Sequence, residues 1–170
     1  MYGTEGKENI YQVSVAEEHI DQLMHRIREV SADLVPMHLR ENGLSKALTM
    51  LVENIAVAGK IKVIYHNSLP PAIMDKNVHI YRVIQEITNN ALKHAGASQI
   101  ELHLSGSKKN IIIKINDNGK GFDYANNTLL QNGLGLTNIA RRIKLLEGKL
   151  YLDTAQGKGT HYLIEIPNKP

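Results

Sequence analysis

Two pairs of short alternating runs, each joined by a small polar turn, constrain this chain more than any other feature. QIELHLS (99–105) and NIIIKIN (110–116) flank the turn GSKK, and KLYLDT (149–154) and THYLIEIP (160–167) flank AQGKG. Apolar residues at every second position mark strands with one buried face, and turns this short join antiparallel neighbours. A fifth run, KIKVIYH (60–66), also reads as a strand and is followed by the two-proline loop NSLPP. The segments between the pairs change period. About Asn77 to Ala95 and about Leu136 to Leu146 are helical, stopped by Gly96 and Gly148. The expected fold is α+β: a two-layer sandwich whose mixed, mostly antiparallel sheet carries helices on one face. No strand–helix–strand repeat runs through the chain, and no G-x-G-x-x-G follows the first strand, which argues against a Rossmann sheet.

The first half is helical. Leu44, Leu48, Leu51, Val52 and Ile55 form the stripe of a helix from about Leu44 to Ala58, with Gly59 as its expected C-cap. Upstream, Ile20, Leu23, Ile27, Val30 and Leu34 recur at alternating spacings of three and four, a heptad stripe on a long N-terminal helix from Val15 to Val35. Pro36 ends it, MHLRENG (37–43) reads as a connection, and residues 1 to about 13 read as a loose tail. A division into 1–40 and 41–170 follows.

With 170 residues, 42% of them hydrophobic, the chain suffices for one sizeable core. It has no cysteine, which excludes disulfides and zinc–thiolate sites and fits a reducing compartment. No apolar run approaches the roughly 20 residues of a membrane span, and the polar N-terminus lacks the apolar core of a signal peptide. A soluble, cytoplasmic chain is expected. The net charge of +3 suits an anionic ligand. Scattered lysines and 5% aromatics do not form a nucleic-acid footprint.

Four segments carry chemistry. In QEITNNALKHAG (85–96), Ile80, Ile84, Ile87, Ala91, Leu92 and Ala95 share one side of the helix, while Glu86, Asn89, Asn90, Lys93 and His94 share the other. Such a face is ordinarily just solvated. Here it lacks the usual Glu/Lys mixture, and Glu86, Asn90 and His94 stack at i, i+4 and i+8. Carboxylate and amide oxygens suit Mg²⁺, and Lys or His suits phosphate oxygens. In IIIKINDNGKGF (111–122), a strand ends at Asp117 before a glycine-rich turn. Asn-Gly alone signals a hairpin, but the following FDYANNTLLQN does not alternate as a returning strand. An EF-hand loop fails as well, because Thr128 stands where a bidentate Glu is needed. A carboxylate remains, able to accept a hydrogen bond from a ligand's amino group, beside glycines that allow close approach. In NGLGLTNIARRIKLL (132–146), Gly133 and Gly135 precede a helix whose first N–H groups favour phosphate. Gly159 and Thr160 open the last strand, by themselves just a turn before an edge.

The order and spacing of these segments say more than any one of them. An asparagine-bearing helix, D-N-G-K-G, an irregular stretch, G-L-G-L and a final G-T strand resemble the ATP-binding domain of sensor histidine kinases, members of the GHKL ATPases with gyrase, MutL and a heat-shock chaperone. The resemblance covers roughly residues 41 to 170. It implies that Asn90 binds Mg²⁺ with help from Glu86, that these two are the catalytic pair, and that Lys93 and His94 contact phosphates or ribose. It further implies that Asp117 binds the adenine amino group, that Gly119 and Gly121 shape the pocket, and that Phe122 to Asn132 form a short ATP lid. The segment Gly133, Leu134, Gly135 and Leu136 would bound that lid, its glycines acting as hinges, and Thr160 would support adenine recognition. ATP and Mg²⁺ are the implied cofactors.

Two stretches narrow the resemblance. YRVIQEITNNALKHAGAS and IREVSADLVPMHLRENGLSKAL are similar to nitrate-sensor and desaturase-sensor kinases, the second to the closing helix of their dimerisation bundle. In that type the phosphoacceptor histidine precedes an acidic residue on the first bundle helix. Here none of His19, His25 or His38 precedes Asp or Glu. The resemblance therefore implies a C-terminal fragment of a homodimeric sensor kinase that pairs with a response regulator and reaches the membrane only through other segments of its parent. It would bind nucleotide without phosphorylating itself. Alternatives are a GHKL kinase acting on serine, like anti-sigma factors, a gyrase- or MutL-like ATPase with Glu86 as general base, and a non-catalytic scaffold dimerising through the Ile20–Leu34 stripe.

Overall fold

The computed structural model describes residues 36–69, 77–107, 109–124 and 134–168. The chain divides into Met1–Val35 and Pro36–Pro170. The expected N-terminal helix with its Ile20–Leu34 stripe, and residues 125–132 of the expected lid, lie outside the described residues.

Helix α1 spans Met37–Gly59, interrupted at Gly43, whose φ of 73° and ψ of 173° are not helical. Of the stretch 37–43, read above as a connection, residues 37–42 are thus helical, and the break falls at its last residue, Gly43. Leu39 is buried there with the expected Leu44, Leu48, Leu51, Val52 and Ile55. The C-cap is Lys60 in the left-handed conformation, not Gly59. Gly59 serves packing instead, since a Cβ there would run into the Leu92 side chain.

Strand β1 (Lys62–Ser68) leads to helix α2 (Asn77–Asn90), which runs on through a π-helical turn, Ala91–Ala95. The hairpin β2 (Gln99–Gly106) and β3 (Asn110–Asp117) follows, then helix α3 (Leu134–Leu145) and the hairpin β4 (Lys149–Thr154) and β5 (Thr160–Pro167). The five strands form one sheet in the order β1-β2-β3-β5-β4. β1 is parallel to β2, as the crossover through α2 requires, and all other pairs are antiparallel.

Alternation decides which face is covered. Ile100, Leu102 and Leu104, Ile111, Ile113 and Ile115, and Tyr162, Ile164 and Ile166 are buried in the same core cluster as the apolar residues of α1, α2 and α3. The intervening residues are exposed or half-buried. The helices therefore cover one face. Ile111, Ile113 and Ile115 are at most 1% exposed, each contributing roughly 1.5–3 kcal/mol by burial. The inner face does not end apolar: at one end of the sheet it carries Asp117 and Thr160, opposite each other across β3 and β5. No helix among the described residues is long and apolar enough to cross a membrane.

Candidate functional site

The end of the sheet that carries Asp117 opens into a cavity of about 600 Å³. Four parts of the fold build it. Helix α2 and its π turn supply Ile87, Asn90, Ala91, His94 and Ala95; the end of β3 and its turn supply Asp117, Lys120, Gly121 and Phe122. Gly135 and Leu136 come from the first turn of α3, and Thr160 and Tyr162 from β5. Most of the wall is apolar, with a few polar groups set into it, the usual make-up of a small-molecule site.

The floor is the Asp117–Thr160 pair. Asp117 is 7% and Thr160 3% exposed. A buried carboxylate is costly without partners. Asp117 Oδ1 accepts a hydrogen bond from the Gly119 N–H at 2.8 Å. The turn beyond is anchored by its backbone: Lys120 N–H donates to Ala95 O at 2.9 Å and Lys120 O accepts from Gly157 N–H at 2.6 Å. Phe122 N–H donates to Thr154 Oγ1 at 3.2 Å, and that hydroxyl donates to Gly159 O at 2.9 Å. Gly121 has a φ of 57°, and a Cβ on it would meet Ala155 O and Gly159 O. Only glycine fits there, for backbone conformation and for space.

The π turn is the local irregularity at this site. Asn90 closes the regular α-helix and is itself helical at φ −64° and ψ −41°. The wider turn then carries Lys93 and His94 and ends at Gly96. Single π turns inside α-helices are frequent at functional sites. Both basic residues occupy the helix's negative C-terminal end, where cations are favoured.

Glu86 and Asn90 converge on the start of α3. A Cβ on Gly135 would lie 2.8 Å from Glu86 Oε1, 3.4 Å from Asn90 Nδ2 and 3.6 Å from Asn90 Oδ1. Gly135 lies inside the first turn of α3, not before the helix as its sequence context suggests. Its missing side chain makes room for the carboxylate and the amide. The Tyr162 hydroxyl is pushed well above its ordinary value of 10.0, first by burial and then by the charges of Asp117 and Glu86. It is neutral at ordinary pH.

Of the sequence-predicted residues, Asn90, His94, Asp117, Gly121, Gly135, Leu136 and Thr160 line this cavity. Glu86, Lys93 and Gly119 are not among its described lining residues. Glu86 reaches Gly135, Gly119 holds the Asp117 carboxylate, and Lys93 is exposed on the π turn. Gly133 and the Leu134 side chain lie outside the described residues. Sequence reasoning missed Lys120 and Tyr162, and named Phe122 only as the first residue of the lid. Tyr162 was legible in principle, because it stands two residues after Thr160 and shares its face. No cluster of three His, Asp or Glu side chains able to hold a metal occurs among the described residues. A cation here would rest on one carboxylate, one amide and the oxygens of its ligand, a set that suits Mg²⁺.

The comparisons with known proteins agree with this fold. A family model described as histidine kinase-, DNA gyrase B- and HSP90-like ATPase matches residues 75–170. The chain is 32% identical over 151 residues to the sensor histidine kinase ComP of Bacillus subtilis strain 168, a match covering 88% of this chain and 20% of that protein. It is 30% identical over 150 residues to the oxygen sensor histidine kinase NreB of Staphylococcus carnosus strain TM300, covering 87% of this chain and 43% of that protein. The chain thus spans less than half the length of either relative. The solved histidine kinase AdeS of Acinetobacter baumannii superposes with a TM-score of 0.64 at 18% identity, over 93% of this chain and 84% of that one, a likeness of fold. With its mixed sheet, its carboxylate-floored cavity and this match over more than half its length, the chain belongs to the histidine kinase-, DNA gyrase B- and HSP90-like ATPase family.

Proposed function

We propose that residues 41–170 are the ATP- and Mg²⁺-binding catalytic domain of a two-component sensor histidine kinase, and that residues 1–40 are a remnant of its dimerisation bundle. The observation that carries the proposal is the buried Asp117–Thr160 floor, with Glu86 and Asn90 converging beside Gly135 at the start of α3. In this reading the Asp117 oxygen not engaged by Gly119 accepts a hydrogen bond from the adenine amino group, and Thr160 completes the recognition. The apolar wall of Ile87, Ala91 and Phe122 covers the base. His94 and Lys93 face ribose or phosphate oxygens, adding charge-assisted hydrogen bonds. Glu86 and Asn90 hold the metal ion.

Mg²⁺, when bound, neutralises charge on the phosphates. The chain's own part is positioning: it holds the nucleotide so that its terminal phosphate faces an acceptor histidine, as phosphoryl transfer requires. That nitrogen attacks the γ-phosphorus, the bond to the bridging oxygen breaks, and ADP leaves. The acceptor histidine belongs to a bundle helix outside this sequence, and the phosphoryl group passes from it to a response regulator. The parent is a homodimer in this reading, with the domain on the cytoplasmic side. Calorimetric titration with Mg·ADP and Mg·ATP tests the binding role, and incubation with radiolabelled ATP tests transfer. Nucleotide binding without a phosphohistidine on this chain is the expected result. Absence of binding would remove the proposal, and a phosphohistidine on the chain would show that it carries its own acceptor.

A further inference from the structure

The sheet has two edges, β1 and β4, and among the described residues nothing pairs with the outer side of either. Such an edge presents unpaired backbone N–H and C=O groups, a template for another strand. The edges differ in what a second copy would meet. Two copies joined antiparallel with their covered faces on the same side must be centred on a residue paired with itself, because facing residues share a face. For β4, centring on Tyr151 places Lys149 opposite Asp153, Leu150 opposite Leu152 and Tyr151 opposite Tyr151. Centring on Leu150 or Leu152 separates Lys149 from Asp153, and centring on Leu150 also leaves less of the strand paired. For β1, centring on Tyr65 places Lys62 opposite Ser68 and matches no charges.

Burial is compatible with this register. Lys149, Tyr151 and Asp153 are exposed, Tyr151 by 49%. Leu150 and Leu152 are half-buried and pack against the core. Edge-to-edge pairing would set two salt bridges and a tyrosine pair on the open face, and continue the leucine layer beneath from one copy into the next. Opposite charges facing each other stabilise a strand pair, whereas like charges oppose it.

From this self-complementarity we propose that β4 is a homotypic interface, through which two copies of the chain form a continuous ten-stranded sheet centred on Tyr151. Six residues bury less than the about 800 Å² per partner of a stable complex, so association is weak and concentration-dependent. The proposal is independent of what the cavity binds. It is also distinct from pairing through the N-terminal heptad stripe, because it joins the sheets.

The chain has no cysteine, which allows a test by thiol trapping on the full-length chain. Tyr151→Cys should form a disulfide-linked dimer on mild oxidation, on the order of tenfold faster than Val57→Cys, because pairing raises the effective concentration of the two thiols. Val57, 79% exposed on α1, sets the collision background. Lys149→Cys and Asp153→Cys should stay at background alone and cross-link when mixed. Adding Lys149→Asp to Tyr151→Cys should return it to background, and further adding Asp153→Lys should restore the rate. A Tyr151→Cys rate equal to that of Val57→Cys overturns the proposal. So does a rate indifferent to the charge reversal, or a double reversal that fails to rescue.

Discussion

Asp117 and Thr160 face each other across β3 and β5, and both are buried, where every other inward position of those two strands is apolar or aromatic. The pair interrupts the core at the cavity floor. Gly119 engages one carboxylate oxygen. The proposed adenine contact uses the other. Asp117→Asn replaces an acceptor with a group that donates toward another donor. Loss of one hydrogen bond to a charged group, about 1.5–3 kcal/mol, weakens ADP or ATP binding by about tenfold to a hundredfold. Calorimetric titration of the variant checks this, and affinity equal to the parent's would place the base elsewhere.

The point that the missing Gly135 side chain leaves open near Glu86 and Asn90 makes a separate prediction. If these two hold the cation, Asn90→Ala and Glu86→Gln should weaken nucleotide binding in Mg²⁺ by about tenfold, the effect of losing one charge-assisted contact. In excess EDTA the same variants should bind as the parent does. Titrations with and without the metal separate this from a general disturbance of the pocket, which would lower affinity in both.

The sequence and the structure agree best where periodicity is strong. Strands β4 and β5 coincide with their alternating runs, because Leu150 and Leu152, and Tyr162, Ile164 and Ile166, have no other face on which to be buried. Disagreements arise where one residue type has several uses. Gly59 looks like a cap, but it is a packing glycine under Leu92, and Lys60 takes the left-handed turn. Gly135 looks like a hinge before a helix, but it lies within α3 and makes room for Glu86. The π turn at Ala91–Ala95 leaves no mark in residue type, since ALKHA is an ordinary helical pentamer. Lys120 was missed, and Phe122 was read only as the start of the lid, because their placement depends on Gly121 and on backbone bonds to Ala95 and Gly157, contacts remote in sequence.

Two glycines on this side of the molecule make a paired test of backbone strain against space. Gly121 and Gly157 both have positive φ, 57° and 79°. A Cβ on Gly121 strikes backbone oxygens of Ala155 and Gly159, whereas one on Gly157 finds nothing within 4 Å. Gly157→Ala should therefore cost only the conformational strain, about 1 kcal/mol. Gly121→Ala adds a clash with backbone that cannot swing away, for about 3 kcal/mol in total. Urea denaturation of the two variants gives the comparison. Equal losses would mean that the Ala155–Gly159 turn yields readily.

Tyr162 links the cavity to the pH dependence of stability. Burial, then Asp117 and Glu86, hold its hydroxyl protonated above the ordinary value of 10.0, which the unfolded chain retains. Above about pH 10 the unfolded chain releases this proton while the folded chain keeps it, so the unfolded state binds fewer protons. Stability from the neutral, buried hydroxyl is therefore complete below about pH 10 and declines as pH rises toward the folded value. The slope from one such group approaches about 1.4 kcal/mol per pH unit. Tyr65 and Tyr81 are raised in the same direction, chiefly by burial, and add to the decline. Tyr162→Phe keeps the ring and removes the titrating group. Its unfolding free energy should fall less steeply than the parent's between about pH 10 and about pH 11, by roughly 1 kcal/mol over that interval. Urea melts of both proteins at several pH values measure the difference. Parallel curves would show that the Tyr162 hydroxyl is not held protonated in the folded chain, and that the charges of Asp117 and Glu86 are screened from it.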